Sequence, residues 1–211
     1  MSLPNGTAAT LGSVDAGDLD PDPHRQFDRW FAEAAAAGVT APEQMALATA
    51  GADGRPSVRM VLLKGHDERG FVFYTNRTSR KAAELDANPW AAGALHWELQ
   101  TRQVRFEGSV ERVGDDESLA YFHTRARASQ VSAWASPQSR PVAHREELER
   151  RVAEIEQRFA GETALPLPPF WGGYRIVAVA IEFWQGRPNR LHDRVRYELD
   201  GGTWNRERLG P

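Results

Sequence analysis

Ile176-Val-Ala-Val-Ala-Ile-Glu-Phe183 runs directly into Trp184-Gln-Gly-Arg-Pro-Asn-Arg-Leu-His-Asp-Arg194, and the reading of this stretch decides the fold. A nearly unbroken apolar run, rich in β-branched residues, predicts a strand buried on both faces and therefore central in its sheet. Gly186 and Pro188 then bend the chain. If it is extended again beyond Pro188, the side chains of Arg190, His192 and Arg194 point the same way, because a strand repeats every two residues. Like charges so placed repel, and water must screen them or an anion must sit opposite. Taken alone, the motif reads as a solvated edge strand. Trp184, just ahead of the bend, is placed to cover a flat ligand instead of filling a core.

Toward the C-terminus, Tyr197-Glu-Leu199 and Thr203-Trp-Asn205 flank Asp200-Gly-Gly202, a hairpin signal. Toward the N-terminus, residues 162–169 form a Pro-rich connector, and residues 141–161 are the clearest helix, with Leu148, Val152, Ile155 and Phe159 on one face. Residues 131–140 are polar and turn-prone. A helix opens at Gly114-Asp-Asp116, and if it persists, Tyr121, Arg125 and Ser129 share a face. A phenol, a guanidinium and a hydroxyl there suit a phosphate ester, and equally suit a polar helix surface.

Residues 91–97 and 102–113 read as strands, and residues 45–50, 58–64 and 71–75 as three more, joined by turns at 51–56 and 65–70. Successive hairpins mean an antiparallel sheet, and so many strands mean a curved one. Between them, Thr78 or Ser79 caps a helix beginning Arg80-Lys81 and ending at Asn88-Pro89. Cations at a helix N-terminus oppose its dipole unless an anion is bound there. From His24, the pattern Phe27, Trp30, Phe31 predicts an amphipathic helix stopping at Gly38. Residues 1–23 lack periodicity and are expected to be a mobile arm, leaving residues 24–211 as a single domain.

The 211 residues carry a net charge of -3, so any attraction to an anion is local and no affinity for nucleic acid is expected. The absence of cysteine excludes disulfides, thiolate chemistry and Cys-ligated metals, and no metal site is expected. No apolar run approaches the roughly 20 residues of a membrane span and the N-terminus has no leader-like segment, which predicts a cytoplasmic protein without membrane contact. Hydrophobic content of 41% with seven Trp predicts an ordered core.

Several motifs, in order, resemble the pyridoxine/pyridoxamine 5'-phosphate oxidase family: Arg59-Met-Val-Leu-Leu-Lys64, Phe73-Tyr-Thr-Asn76, Ser79-Arg-Lys81, Arg102-Gln-Val104, Tyr121-Phe-His-Thr-Arg125, Ala133-Trp-Ala-Ser-Pro-Gln-Ser139, Phe170-Trp-Gly-Gly-Tyr174 and Ile181-Glu-Phe-Trp-Gln-Gly186, closing with Arg190-Leu-His-Asp-Arg194. The resemblance implies an α+β fold, an FMN-binding split β-barrel that is antiparallel and Greek-key-like with flanking helices, working as a homodimer with FMN between subunits. It implies that FMN contacts Arg59, Met60, Val61, Leu62, Leu63 and Lys64, then Tyr74, Thr75, Arg80 and Lys81, and finally Gln103, Gln138, Ser139, Trp184 and Arg194. Lys64, Tyr121, Arg125 and Ser129 would hold the substrate phosphate, with Arg190 and His192 as the catalytic pair facing the pyridine ring.

The implied reaction takes pyridoxamine 5'-phosphate or pyridoxine 5'-phosphate to pyridoxal 5'-phosphate by hydride transfer to flavin N5, with O2 reduced to H2O2. The protein positions and polarises while the flavin carries the redox step. A guanidinium stays protonated at neutral pH, so Arg190 is assigned orientation and charge stabilisation; an imidazole can exchange protons there, so His192 is a proton carrier or a hydrogen-bond donor to substrate. The chain departs from the pattern at Leu95-His-Trp-Glu98, and residues 1–23 lack the family's usual Arg and Tyr. Asn88-Pro-Trp-Ala-Ala-Gly-Ala-Leu-His-Trp97 also resembles the related phenazine-biosynthesis flavin oxidases, which act on a phosphate-free ring. A flavin or pyridoxal-phosphate binder without turnover is the third possibility.

Overall fold

The computed structural model describes residues 14–211. Its centre is the strand read first. Trp171–Gln185 is a single long strand that pairs along one side with Arg102–Arg112. Its other side is shared, residues 171–176 pairing with Gly70–Asn76 and residues 180–185 with Asp193–Asp200. Numbered in chain order, the strands are β1 Gln44–Ala50, β2 Pro56–Leu62, β3 Gly65–Asp67, β4 Gly70–Asn76, β5 Trp90–Trp97, β6 Arg102–Arg112, β7 Trp171–Gln185, β8 Asp193–Asp200 and β9 Thr203–Arg208. The order β2-β1-β5-β6-β7-β4-β3, with β8 and β9 branching from β7, is antiparallel at every pairing. This is the half-barrel sheet of the split-barrel fold.

One strand can serve two neighbours on one edge because the sheet bends midway. The β6–β7 register shifts between Glu107 and Gly108, a bulge. Gly108 is obligatory there, since a Cβ would lie 1.9 Å from the Val177 carbonyl oxygen. At the β8–β9 turn Gly201 and Gly202 both take positive φ, 55° and 85°, as a tight hairpin requires.

Among the described residues, five α-helices flank the sheet: α1 Pro23–Ala36, α2 Arg80–Ala87, α3 Asp115–Thr124, α4 Arg127–Ala135 and α5 Arg145–Arg158. Helix α1, capped by Asp22, drives Phe27 and Trp30 into the main core against Phe71 and Phe183. A second, smaller core gathers Phe122, Val131, Phe159, Leu165 and Trp171, with Val152 and Ile155 of α5 packed on it. No helix among the described residues is long and apolar enough to cross a membrane.

Several expectations are corrected. Residues 65–70 contain the short strand β3 as well as a turn. Residues 131–135, read as turn-prone, complete α4, because Val131 and Ala135 find apolar cover. The expected arm is docked where it is described: Leu19 is buried, the Leu19 carbonyl accepts from Arg206, and the Val14 N–H donates to Asp193. Residues 1–13 lie outside the described residues.

Candidate active site

The chain does not continue extended past Pro188. Pro188–Arg190 is a 3-10 turn in which Asn189 and Arg190 have positive φ, 58° and 62°, and the strand resumes only at Asp193. The predicted single face of Arg190, His192 and Arg194 is therefore wrong. Arg190 is exposed, His192 lies 4.6 Å from the Trp184 ring and accepts from the Arg187 N–H, and Arg194 donates to both oxygens of Glu182.

The helix over residues 121–129 is also interrupted. Arg125 is extended, with ψ 144°, and separates α3 from α4. The outcome that the helical face was meant to deliver survives nonetheless. Tyr121 of α3, Arg125 at the break and Ser129 of α4 all line one groove of about 670 Å³.

That groove collects most of the residues singled out from sequence. Arg59, Met60, Val61 and Leu62 enter from β2 and Lys64 from the segment after it. Tyr74 and Thr75 come from β4, Lys81 from α2, and Gln138 from beyond α4. Leu63 is buried beneath, in the core, while Arg80 and Ser139 are exposed and outside the lining. Gln103, Trp184, Arg190, His192 and Arg194 lie elsewhere. Trp171 lines the groove, whereas Trp184 is at the opposite end of β7, roughly 40 Å away along extended chain.

The electrostatics of the groove favour an anion. Lys81 is buried, and its ammonium donates to Thr75 Oγ1 at 3.1 Å, Gln138 Oε1 at 3.1 Å and Ser79 Oγ at 3.4 Å, all neutral acceptors. Burial, then the neighbouring Arg59 charge, push its pKa down to about 8. Arg125 is held over the Trp171 ring at 5.0 Å, with Nη1 buried and without a hydrogen-bond partner; burial lowers its pKa. A buried donor left unmatched costs about 1–3 kcal/mol, more when charged, so an acceptor from a ligand is the expected complement. Beside it the rings of Tyr74 and Tyr121 stack at 4.0 Å, and burial pushes the Tyr74 phenol up to about 12, keeping it a neutral donor. Lys64 pairs with Glu43 at 3.5 Å.

Residues 31–159 match the sequence profile of the family described as Pyridoxamine 5'-phosphate oxidase, and residues 171–211 match its Pyridoxine 5'-phosphate oxidase C-terminal dimerisation region. The chain belongs to the pyridoxamine 5'-phosphate oxidase family. Within this family of oxidoreductases, the pyridoxine/pyridoxamine 5'-phosphate oxidase of Rubrobacter xylanophilus is 60% identical over 192 residues, 91% of this chain and 88% of the relative. Among solved structures, PhzG from Burkholderia lata 383, in complex with tetrahydrophenazine-1-carboxylic acid, is 35% identical with a TM-score of 0.90. That match covers 97% of this chain and all of the other. A pyridoxamine 5'-phosphate oxidase-related, FMN binding protein from Nostoc punctiforme shares the fold, with a TM-score of 0.72 at 18% identity over 92% of this chain and 100% of that one.

The groove of this member of the pyridoxamine 5'-phosphate oxidase family suits an anionic ligand that carries a flat ring. Lys81 lacks an acidic partner, Arg125 Nη1 is orphaned, and stacked aromatic rings stand alongside. Sequence reading passed over the carboxylates that hold the cations in place. Glu84 stands four residues after Arg80, a spacing that forms an ion pair on a helix, and Glu182 lies across the β7–β8 ladder from Arg196, beside Arg194.

Proposed function

We propose that the chain is an FMN-dependent oxidase converting pyridoxamine 5'-phosphate or pyridoxine 5'-phosphate to pyridoxal 5'-phosphate, with O2 as final acceptor, and that it works as a homodimer. The observation that carries this reading is one groove holding two cations without acidic partners, Lys81 and Arg125, since two phosphate-bearing ligands need two such sites. FMN, when bound, supplies the two-electron acceptor that takes a hydride from the C4′ carbon and passes the electrons to dioxygen.

The chain's own residues supply placement. Lys81, with Arg59 and Arg80 near it, holds the FMN phosphate, while Arg125, Tyr121, Ser129 and Lys64 hold that of the substrate. Anchoring both phosphates fixes the two reactants in register, which removes the entropy of bringing them together. Gln103, Trp184, Arg190, His192 and Arg194 cannot reach this groove from the same chain, and a second copy delivers them. Arg190 and His192 then meet the pyridine ring, and Trp184 excludes water from it. The exposed apolar residues Val58 and Met60 on β2, 70% and 62% accessible, mark the surface that this second copy covers.

The likeness to PhzG favours a second reading, oxidation of a phosphate-free tricyclic substrate. The ligand of that relative carries a carboxylate, which Arg125 can also meet, and the vitamin B6 reading is preferred because the relative named for it is 60% identical against 35% for PhzG. The experiment is anaerobic mixing of FMN-loaded protein with pyridoxamine 5'-phosphate while flavin absorbance is followed. Bleaching that reverses with air, with formation of a hydrazine-reactive aldehyde, is the expected result. A flavin that stays oxidised overturns the assignment.

A further inference from the structure

Glu84 is a buried carboxylate on α2 that pairs with Arg59 and Arg80 beside the groove, and it is bonded through both oxygens. Its Oε2 accepts from Thr49 Oγ1 at 2.5 Å, Ser57 Oγ at 2.6 Å and Arg59 Nη2 at 3.1 Å, while Oε1 accepts from Arg80 Nε at 2.7 Å. An isolated carboxylate beside a phosphate site would repel the ligand. Here the carboxylate instead determines what each arginine can do.

Both terminal nitrogens of Arg59 are engaged. Its Nη1 donates to the Leu47 carbonyl and Thr49 Oγ1, and its Nη2 to Ser57 Oγ and Glu84. Arg80 is held only by Nε, and its side chain is 67% accessible, so its terminal nitrogens remain available to an incoming anion. Lys81, the next residue, points into the groove. Three cations and one carboxylate leave a surplus of two positive charges. That surplus equals the charge of a phosphate monoester, about -1.5 to -2 at neutral pH.

Building on the FMN assignment above, we propose that Glu84 is a positioning residue for the flavin phosphate. It pins Arg59 against β1 and β2 as a fixed floor, and it holds Arg80 by Nε so that the free end of that guanidinium is aimed at the phosphate beside Lys81. The carboxylate thus loses some attraction for the anion and gains preorganisation, which lowers the entropy lost on binding.

The test compares binding of FMN and riboflavin, which lacks the phosphate, to apoprotein by flavin fluorescence quenching. Wild type prefers FMN. Glu84→Gln keeps one acceptor oxygen and the side-chain shape but releases Arg80, and it is expected to weaken FMN about tenfold, the worth of one charge-assisted hydrogen bond. Riboflavin binding stays unchanged. Glu84→Gln in an Arg80→Ala background costs less than in wild type, since the residue through which it acts is gone. Equal loss for both flavins assigns Glu84 a purely structural role, and tighter FMN binding by the variant makes it a repulsive group; either result overturns the proposal. Failure of wild type to prefer FMN over riboflavin instead overturns the phosphate assignment on which the proposal rests.

Discussion

Arg125 and Lys81 are the two groove cations without an acidic partner. Arg125 Nη1 has no hydrogen-bond partner in the protein to leave behind, so truncation at this position costs the fold only its packing over the Trp171 ring. Arg125→Ala is expected to raise KM for pyridoxamine 5'-phosphate at least about tenfold, because charge-assisted hydrogen bonds to phosphate are lost. The urea midpoint should barely move. Steady-state kinetics beside an unfolding curve check both halves, and an unchanged KM removes Arg125 from the phosphate site. Lys81 carries its proton in the free protein only below about pH 8, owing first to burial and then to Arg59. A phosphate selects the ammonium form, so FMN affinity of the apoprotein is full below that value and falls as pH rises through it. Lys81→Met should bind FMN weakly with a flattened pH profile, measured by the same fluorescence titration. The identities of both residues were legible from sequence. Their lack of acidic partners was not, because pairing depends on which carboxylates the fold brings within reach.

Helix α1 is fastened by a buried histidine pair. His24 Nδ1 lies 3.0 Å from His66 Nε2, and His66 Nδ1 lies 2.9 Å from Asp28 Oδ1. With His66 Nδ1 donating to the carboxylate, its Nε2 accepts and His24 donates, so one tautomer with both rings neutral satisfies the chain of bonds. Burial first of all lowers both pKa values below the ordinary 6.5; at His24 the other ring adds to this, while the nearby aspartates Asp22, Asp28 and Asp67 oppose it. A depressed histidine stabilises the fold above its unfolded pKa and loses that contribution as pH falls below about 6.5. The urea midpoint of the wild type should therefore drop between neutral pH and about pH 5 more than that of His24→Leu. Equal slopes would dissociate the pair from acid stability. At this scale the periodic elements were readable, since α1, β7 and the β8–β9 hairpin follow from apolar spacing and Gly201-Gly202. The break at Arg125 was not, because Tyr121 and Ser129 fit a continuous helix equally well and packing on Trp171 decides the matter.

For the whole molecule, the groove and the Trp184 to Arg194 segment are separated along β7, and the association proposed above brings them together. The sheet face formed by Ala46, Ala48, Ala92 and Val58 is small, apolar and open, a surface suited to a second sheet or a second copy. Val58→Asp places a charge on this face without touching the core. It should yield a monomer by light scattering with a reduced flavin-to-protein absorbance ratio. A dimeric, fully yellow variant would move the interface elsewhere.

By itself, the sequence determined the antiparallel sheet and the central place of residues 176–183, because apolar period is a local property, and its ordered motifs carried the resemblance to the split-barrel family. Tertiary structure decided the rest. The turn at Pro188–Arg190 undid the single face drawn for Arg190, His192 and Arg194, since positive φ at Asn189 and Arg190 is set by how β7 returns into β8. The anchoring of Arg59 by Glu84 likewise joins β1, β2 and α2, a contact that no spacing along the chain contains, whereas the Arg80–Glu84 pair lies within α2 at helical spacing.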